Sequence, residues 1–426
     1  MITTILIVAI IGYLFVIFEA PLGINKTITS IITGALCWVV LALFSHNTAE
    51  VTETLMKYIG EIAGLLIFLL GAMTIVELID LHKGFSVITH RIRTKSIHKL
   101  LWVVALVTFV LSALLDNMAT AIIMVTLLKK LMPKGEIRMI LAGIAIIAAN
   151  AGGAFSPIGD VTTTLLWIGG QVSAFKIVAS LFIPSLIVLL VPTIIAGFRM
   201  KGFAVLRAQI SMADAIKEEK MRGSASVFIA GIVGLIMVPV IKTITGLPPV
   251  IGVLISLGFV SLVSIYYHRN KPQEEKEKYS VSTALSKVDV SSILYFMGIL
   301  LMVFALQEVH ILSQLATFLE RNLPNNHTMV IALGVLSSIV DNGSLVAATQ
   351  AMFSLQEYTT DSFLWHFIAL CAGTGGSMLI IGSAAGIAIM EKEKITFMWY
   401  LKKITPLAVA GYIAGIISFL AIEAIF

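Results

Sequence analysis

Apolar residues along this chain fall in blocks of roughly 17 to 25, separated by short polar stretches, the length at which a helix crosses about 30 Å of hydrocarbon. The blocks predict crossings near 3–20, 28–44, 59–79, 136–168, 176–198, 224–243, 247–267, 289–307, 363–391 and 404–425. Polar and apolar positions do not alternate within them, so they predict an all-α polytopic bundle, not an outer-membrane barrel. The first block has no Lys or Arg ahead of it and no small-residue cleavage site before Glu19, and reads as a retained crossing.

Two further apolar stretches, 100–128 and 329–353, do not fit as crossings. Each is interrupted at its middle by the same dipeptide, Asp116-Asn117 and Asp341-Asn342, leaving half-length helices of about 12 to 15 residues. Flanking charge decides what they are, because Lys and Arg favour the cytoplasmic side. Lys83, Arg91, Arg93, Lys95 and Lys99 precede the first, and Lys129, Lys130, Lys134 and Arg138 follow it. Both ends are then cytoplasmic, and the segment enters and returns as a re-entrant hairpin. The second, flanked by Glu308, Glu320, Arg321, Glu357 and Asp361, enters from outside. With ten crossings, two hairpins and both termini outside, only Lys57, Lys176, Lys242 and Arg321 of the 29 Lys and Arg remain on the outer side.

Composition agrees: 58% of the 426 residues are hydrophobic and 12% are charged, against about 25% charged in a soluble domain. The net charge of +5 is accounted for by topology and gives no reason to expect a nucleic-acid partner. Cys37 and Cys371 lie far apart inside apolar blocks and suggest neither a disulfide nor a metal site. The loops 199–223 and 268–288 read as hydrated cytoplasmic connectors, and 80–98 and 309–324 as segments lying along the membrane surface.

The two halves echo each other. Val110-Leu-Ser-Ala-Leu-Leu-Asp116-Asn117 matches Val335-Leu-Ser-Ser-Ile-Val-Asp341-Asn342 at an offset of 225, and Gly152-Gly153 with Gly159 matches Gly375-Gly376 with Gly382 at 223. A weaker echo, Phe68-Leu-Leu-Gly71 against Tyr295-Phe-Met-Gly298, sits at 227. Five crossings per half is an odd number, so the second copy is expected upside down: residues 1–200 the first repeat, 201–223 a cytoplasmic linker, 224–426 the second. Inverted repeats with broken helices near the midplane characterise secondary transporters.

Candidate chemistry gathers at the breaks. Asp116 and Asp341 sit at the hairpin tips, followed by Asn117 and Asn342 and then by the hydroxyls of Thr120 and Ser344. Each Asp has two readings, as the N-cap of its return helix or as an ion and proton ligand. The crossing 136–168 is broken at Asn150-Ala-Gly-Gly-Ala-Phe-Ser-Pro-Ile-Gly-Asp160, where Gly and Pro open the helical ladder and free carbonyl oxygens. Asn150, Ser156, Asp160, Thr162 and Thr163 add side-chain oxygens, the set that holds a hard monovalent cation. The counterpart in 363–391, Thr374-Gly-Gly-Ser-Met-Leu-Ile-Ile-Gly-Ser383, offers hydroxyls but no carboxylate. An ionised carboxylate at the bilayer centre costs roughly 2.5 to 3.5 kcal/mol, so a proton and a cation compete for it, and that competition is antiport. Glu77, near the cytoplasmic end of its crossing, reads either as a proton relay or as a side chain reaching back to the interface.

The Asp-Asn tips, the run from Asn150 through Thr163 and the later Gly373-Thr-Gly-Gly-Ser377 resemble the NhaD-type sodium/proton antiporters of the ion transporter superfamily, from about Glu61 to the C-terminus. The resemblance implies that Asp116, Asn117, Asn150, Asp160, Thr162, Thr163, Ser337, Asp341, Asn342 and Ser377 form the ion and proton site. The cation, Na⁺ or Li⁺, would lie at Asp116, Asn117, Asp160, Asp341 and Asn342. The resemblance also implies a homodimer with a scaffold part and a moving part, in the inner membrane, with no cofactor beyond the transported ions. The alternatives are a dicarboxylate-type anion carrier or an arsenite carrier of the same superfamily; acidic tips oppose the first, and the lack of a thiol near the site opposes the second. No motif of an intramembrane enzyme is present.

Overall fold

The computed structural model describes residues 1–17, 19, 23–45, 47–89, 96–200, 221, 223–323 and 325–425. The expected linker 201–223 therefore lies almost wholly outside the described residues, as do Arg91, Arg93 and Lys95. The principal helices are α1 (Ile2–Ile17), α2 (Lys26–Phe44), α3 (Thr48–Leu81), α4 (Ile97–Ser112), α5 (Asn117–Leu131), α6 (Glu136–Ala154), α7 (Val161–Ile168) and α8 (Ala174–Met200). They continue as α9 (Ser224–Thr245), α10 (Pro249–His268), α11 (Val290–Glu308), α12 (Ile311–Asn322), α13 (Asn326–Leu336), α14 (Asn342–Met352), α15 (Phe363–Gly375), α16 (Ala384–Glu393) and α17 (Thr405–Glu423). Among the described residues, eight helices are long and apolar enough to cross a membrane.

Where the hydropathy blocks predict crossings, helices stand, and the interruptions are real. The stretch 100–128 divides into α4 and α5, and 329–353 into α13 and α14. The crossing 136–168 is broken between α6 and α7, and 363–391 between α15 and α16. One helix departs from expectation: α3 begins at Thr48, not near 59, and runs 34 residues, about 51 Å, well beyond the hydrocarbon thickness. Its polar first turns contain no Gly or Pro, the Asn47 side chain accepts from the Glu50 amide, and Glu50 complements the positive end of the helix, so nothing stops the helix at the interface.

Packing follows a paired pattern. α4 packs on α6 as α13 packs on α15; α5 packs against α16 as α14 packs against α7; α2 lies on α11 as α10 lies on α3; and α8 lies along α17. Small residues make the crossings tight, as expected where lipid leaves little hydrophobic drive between helices. A Cβ on Gly152 would strike the Phe109 carbonyl of α4, and one on Gly375 would strike the Gly334 carbonyl of α13. At the same joints the Ser112 hydroxyl donates to Ala149 O at 2.7 Å, and the Ser337 hydroxyl to Ala372 O at 2.6 Å. Each half-length pair is thus fastened to its broken helix by a glycine contact and a serine hydrogen bond.

Candidate functional site

Four chain breaks meet in one hydrogen-bond network centred on the Asp160 carboxylate. Asp160 ends the opened segment after α6 and stands at the N-terminus of α7, 3% exposed. Its Oδ1 accepts from the Asn117 side-chain amide at 3.0 Å. Its Oδ2 accepts from the Asn342 amide at 3.0 Å and from the Thr162 hydroxyl at 2.8 Å. Asn117 opens α5 and Asn342 opens α14, so one carboxylate ties together the tips of both half-length pairs. The network extends outward: Asn117 also donates to Asn150 Oδ1 at 3.1 Å, and Asn150 donates to the Ser383 hydroxyl at 3.0 Å, at the start of α16. All of these side chains are buried.

The donors to Asp160 are neutral. The ion pairs Arg138–Glu393, Lys271–Glu275, His366–Asp361 and Lys403–Glu136 lie elsewhere and leave Asp160 without a basic partner among the described residues. Three hydrogen bonds stabilise an ionised carboxylate without cancelling its charge, and burial makes an uncancelled charge costly. The arrangement calls for one positive charge on the carboxylate, which a bound cation or a proton supplies.

The two tip aspartates cap helices. Asp116 Oδ1 accepts from the amides of Met118 at 2.8 Å and Ala119 at 3.0 Å, and Asp341 Oδ2 accepts from the Ser344 amide at 3.2 Å and hydroxyl at 3.3 Å. Capping does not exclude a second use, because a carboxylate offers about four acceptor positions. Ser344 also shares a 2.8 Å hydrogen bond with the Tyr295 hydroxyl.

Several expected hydroxyls face backbone oxygens. Thr163 donates to Ser156 O at 2.6 Å, Ser156 bonds Ala113 O, Thr374 donates to Leu370 O at 2.6 Å and Ser377 to Thr374 O at 2.6 Å. With Ser337 they hold the opened backbone in shape. Thr120 is different: its hydroxyl is fully buried and has no hydrogen-bond partner among the described residues. Glu77 stands apart, half-buried near the end of α3 in a crevice beside α5. Sequence reasoning had Ser112 only as part of the repeat and Ser383 only among the hydroxyls of the second break, with no site role for either. The repeat offsets contain both, since 225 carries Ser112 onto Ser337 and 223 carries Asp160 onto Ser383.

Spanning helices interrupted in pairs around a buried polar centre define a multi-pass membrane transport protein. The family model described as "Citrate transporter" (CitMHS) matches residues 5–365. "Sodium/proton antiporter 1" of Arabidopsis thaliana is 44% identical over 97% of this chain and 71% of its own length, and "Sodium/proton antiporter 2" of the same plant is 40% identical over 97% and 98%. The "Na(+)/H(+) antiporter NhaD" of Alkalimonas amylolytica is 29% identical over 96% of this chain and 88% of its own. The YdaH transporter of Alcanivorax borkumensis shares the fold at a TM-score of 0.54 and 13% identity, covering 92% of this chain and 95% of its own. The chain belongs to the citrate transporter family and groups there with the NhaD-type sodium/proton antiporters.

Proposed function

We propose that this chain exchanges Na⁺ or Li⁺ for H⁺ across the inner membrane by alternating access, with Asp160 as the group for which cation and proton compete. The observation that carries the proposal is a buried carboxylate held by three neutral donors from separate chain breaks. The cation would draw on Asp160 together with the Asn117 and Asn342 side chains, whose amides turn their oxygens inward when the ion replaces the proton. Asp116 and Asp341 supply further negative charge at the tips, and Thr120, Asn150, Thr162 and Ser344 supply polar atoms around them. Ser156, Thr163, Ser337, Thr374 and Ser377 act by fixing the opened backbone. A carboxylate substrate would meet the Asp160 charge directly, which disfavours the anion reading.

The paired packing supports two inversely inserted copies, residues 1–200 and 224–426, with both termini outside. On that reading α4–α5 and α13–α14 are re-entrant hairpins entering from the cytoplasmic and outer faces. The homodimer is carried by the family resemblance. The test is Na⁺-driven proton movement in proteoliposomes containing a pH dye. Asp160→Asn abolishes exchange while the folded protein stays in the membrane. Asp116→Asn keeps an oxygen for the Met118 and Ala119 amides, so the helix stays capped and exchange falls. Wild-type rates in both would overturn the proposal.

A further inference from the structure

Two crevices lie toward opposite ends of α3. One, of about 350 Å³, is lined by Glu77 and Asp80 of α3 and by Ala119, Ile122 and Thr126 of α5. The other, of about 300 Å³, is lined by Tyr58 and Glu61 of α3, Phe304 and Gln307 of α11, and Ala347 and Ala351 of α14. The repeat offsets carry one onto the other: 227 takes Glu77 to Phe304 and Asp80 to Gln307, and 225 takes Ile122 to Ala347 and Thr126 to Ala351. The crevices are counterparts, and they differ where it matters for a cation. The first holds two carboxylates; the second has a phenyl ring and an amide in their places and keeps one carboxylate, Glu61, beside Lys57.

The first crevice reaches α5 next to its tip. Ala119 lines it, and the amide of Ala119 is bonded to Asp116 at the tip. Asp116 lies within electrostatic reach of Glu77, and Thr120, the next residue on α5, has the unpartnered buried hydroxyl. Lys83 and Lys130 stand in the lining as well, and Lys287 acts on Glu77 from the chain ahead of α11. The second crevice has an aromatic stack in its wall: the Phe304 ring lies on Tyr58 at 4.3 Å between centroids and 16° between planes, with Trp38 against Tyr58 at 6.0 Å.

We propose that Glu77 is the cation-collecting carboxylate of the access crevice on the Lys- and Arg-rich face, and that the Tyr58–Phe304 stack closes the equivalent crevice on the opposite face. The proposal rests on the antiport reading, because it supplies the routes to Asp160. A carboxylate inside a low-dielectric cleft focuses the field and raises the local cation concentration, an effect of about tenfold or more that fades with ionic strength.

The test uses the full-length protein in proteoliposomes, with Cys37 and Cys371 replaced by Ala and exchange verified. Thr126→Cys reacts with a membrane-impermeant maleimide from the Lys- and Arg-rich face, and Na⁺ slows that reaction relative to choline. Ala351→Cys stays unreactive until Tyr58→Ala or Phe304→Ala is added. Glu77→Gln raises the half-maximal Na⁺ concentration about tenfold at low salt, by more than it lowers the maximal rate, and Glu77→Asp restores it. An unchanged half-maximal Na⁺ in Glu77→Gln, or labelling of Thr126→Cys from the opposite face alone, overturns the proposal. Asp160→Asn separates the two failures: if it still exchanges, the site reading falls; if it is silent while Glu77→Gln is normal, the access route alone falls.

Discussion

Asn342→Ala tests whether the second half of the chain reaches the centre built by the first. The substitution deletes the amide that meets Asp160 Oδ2 at 3.0 Å and leaves the Asn117 contact to Oδ1 and the Thr162 contact in place. A hydrogen bond to a charged group contributes roughly 1.5 to 3 kcal/mol, and each 1.4 kcal/mol is tenfold in binding. If the same side chain turns its oxygen to the bound ion, losing it weakens apparent Na⁺ affinity by about 10- to 150-fold. The assay is the half-maximal Na⁺ concentration for proton movement in proteoliposomes, with Asn117→Ala measured alongside. Both variants should shift in the same direction and by a similar factor, since the two amides address opposite oxygens of one carboxylate. A normal Na⁺ dependence in Asn342→Ala, beside a strong defect in Asn117→Ala, would show that the first half binds the ion alone.

Three further outcomes follow from the packing. Arg138 and Glu393 form a buried ion pair at 2.9 Å, so Arg138→Met strands a carboxylate and should cost about 3 to 5 kcal/mol, while Arg138→Met with Glu393→Leu recovers most of it; thermal unfolding in detergent reads both. Gly152→Ala presses a methyl into the Phe109 carbonyl and should cost about 1 to 3 kcal/mol, whereas Gly64→Ala, with open space at its Cβ, is neutral or stabilising in the same measurement. His82 caps α3 beyond its crossing, and burial pushes its imidazole down from 6.5 to about 4, with His268 and Lys271 adding to the shift and the Leu78 carbonyl opposing it. A depressed histidine is neutral in the fold, so its contribution is complete above pH 6.5 and is lost as pH falls through about 4; the melting temperature should drop across that window and be flatter in His82→Gln.

The crossings were legible because hydrocarbon imposes one length and one composition on a spanning helix, and the breaks because Gly, Pro and Asp-Asn are out of place in such a helix. Asp160 was legible for the same reason, as a carboxylate in an apolar run. The use of individual hydroxyls was not. Thr374 and Ser377 look like Thr162 in sequence, yet their hydroxyls bond backbone oxygens and that of Thr162 bonds Asp160. That choice depends on rotamers and on where the opened backbone leaves unpaired carbonyls, which adjacency along the chain does not encode. The start of α3 was hidden because hydropathy reports where lipid begins and a helix well capped at Asn47 continues past it.

The buried centre has a consequence for coupling. On the proposed exchange, Asp160 carries the same local charge whether loaded with Na⁺ or with H⁺, whatever Asp116 and Asp341 add at the tips, so electrostatics favours neither loaded form over the other. The bare carboxylate carries a full negative charge, and at mid-membrane that costs several kcal/mol even after neutral hydrogen bonds. On that reading the empty carrier is the electrostatically costly form, which opposes slippage of either ion without the other and makes a separate latch unnecessary.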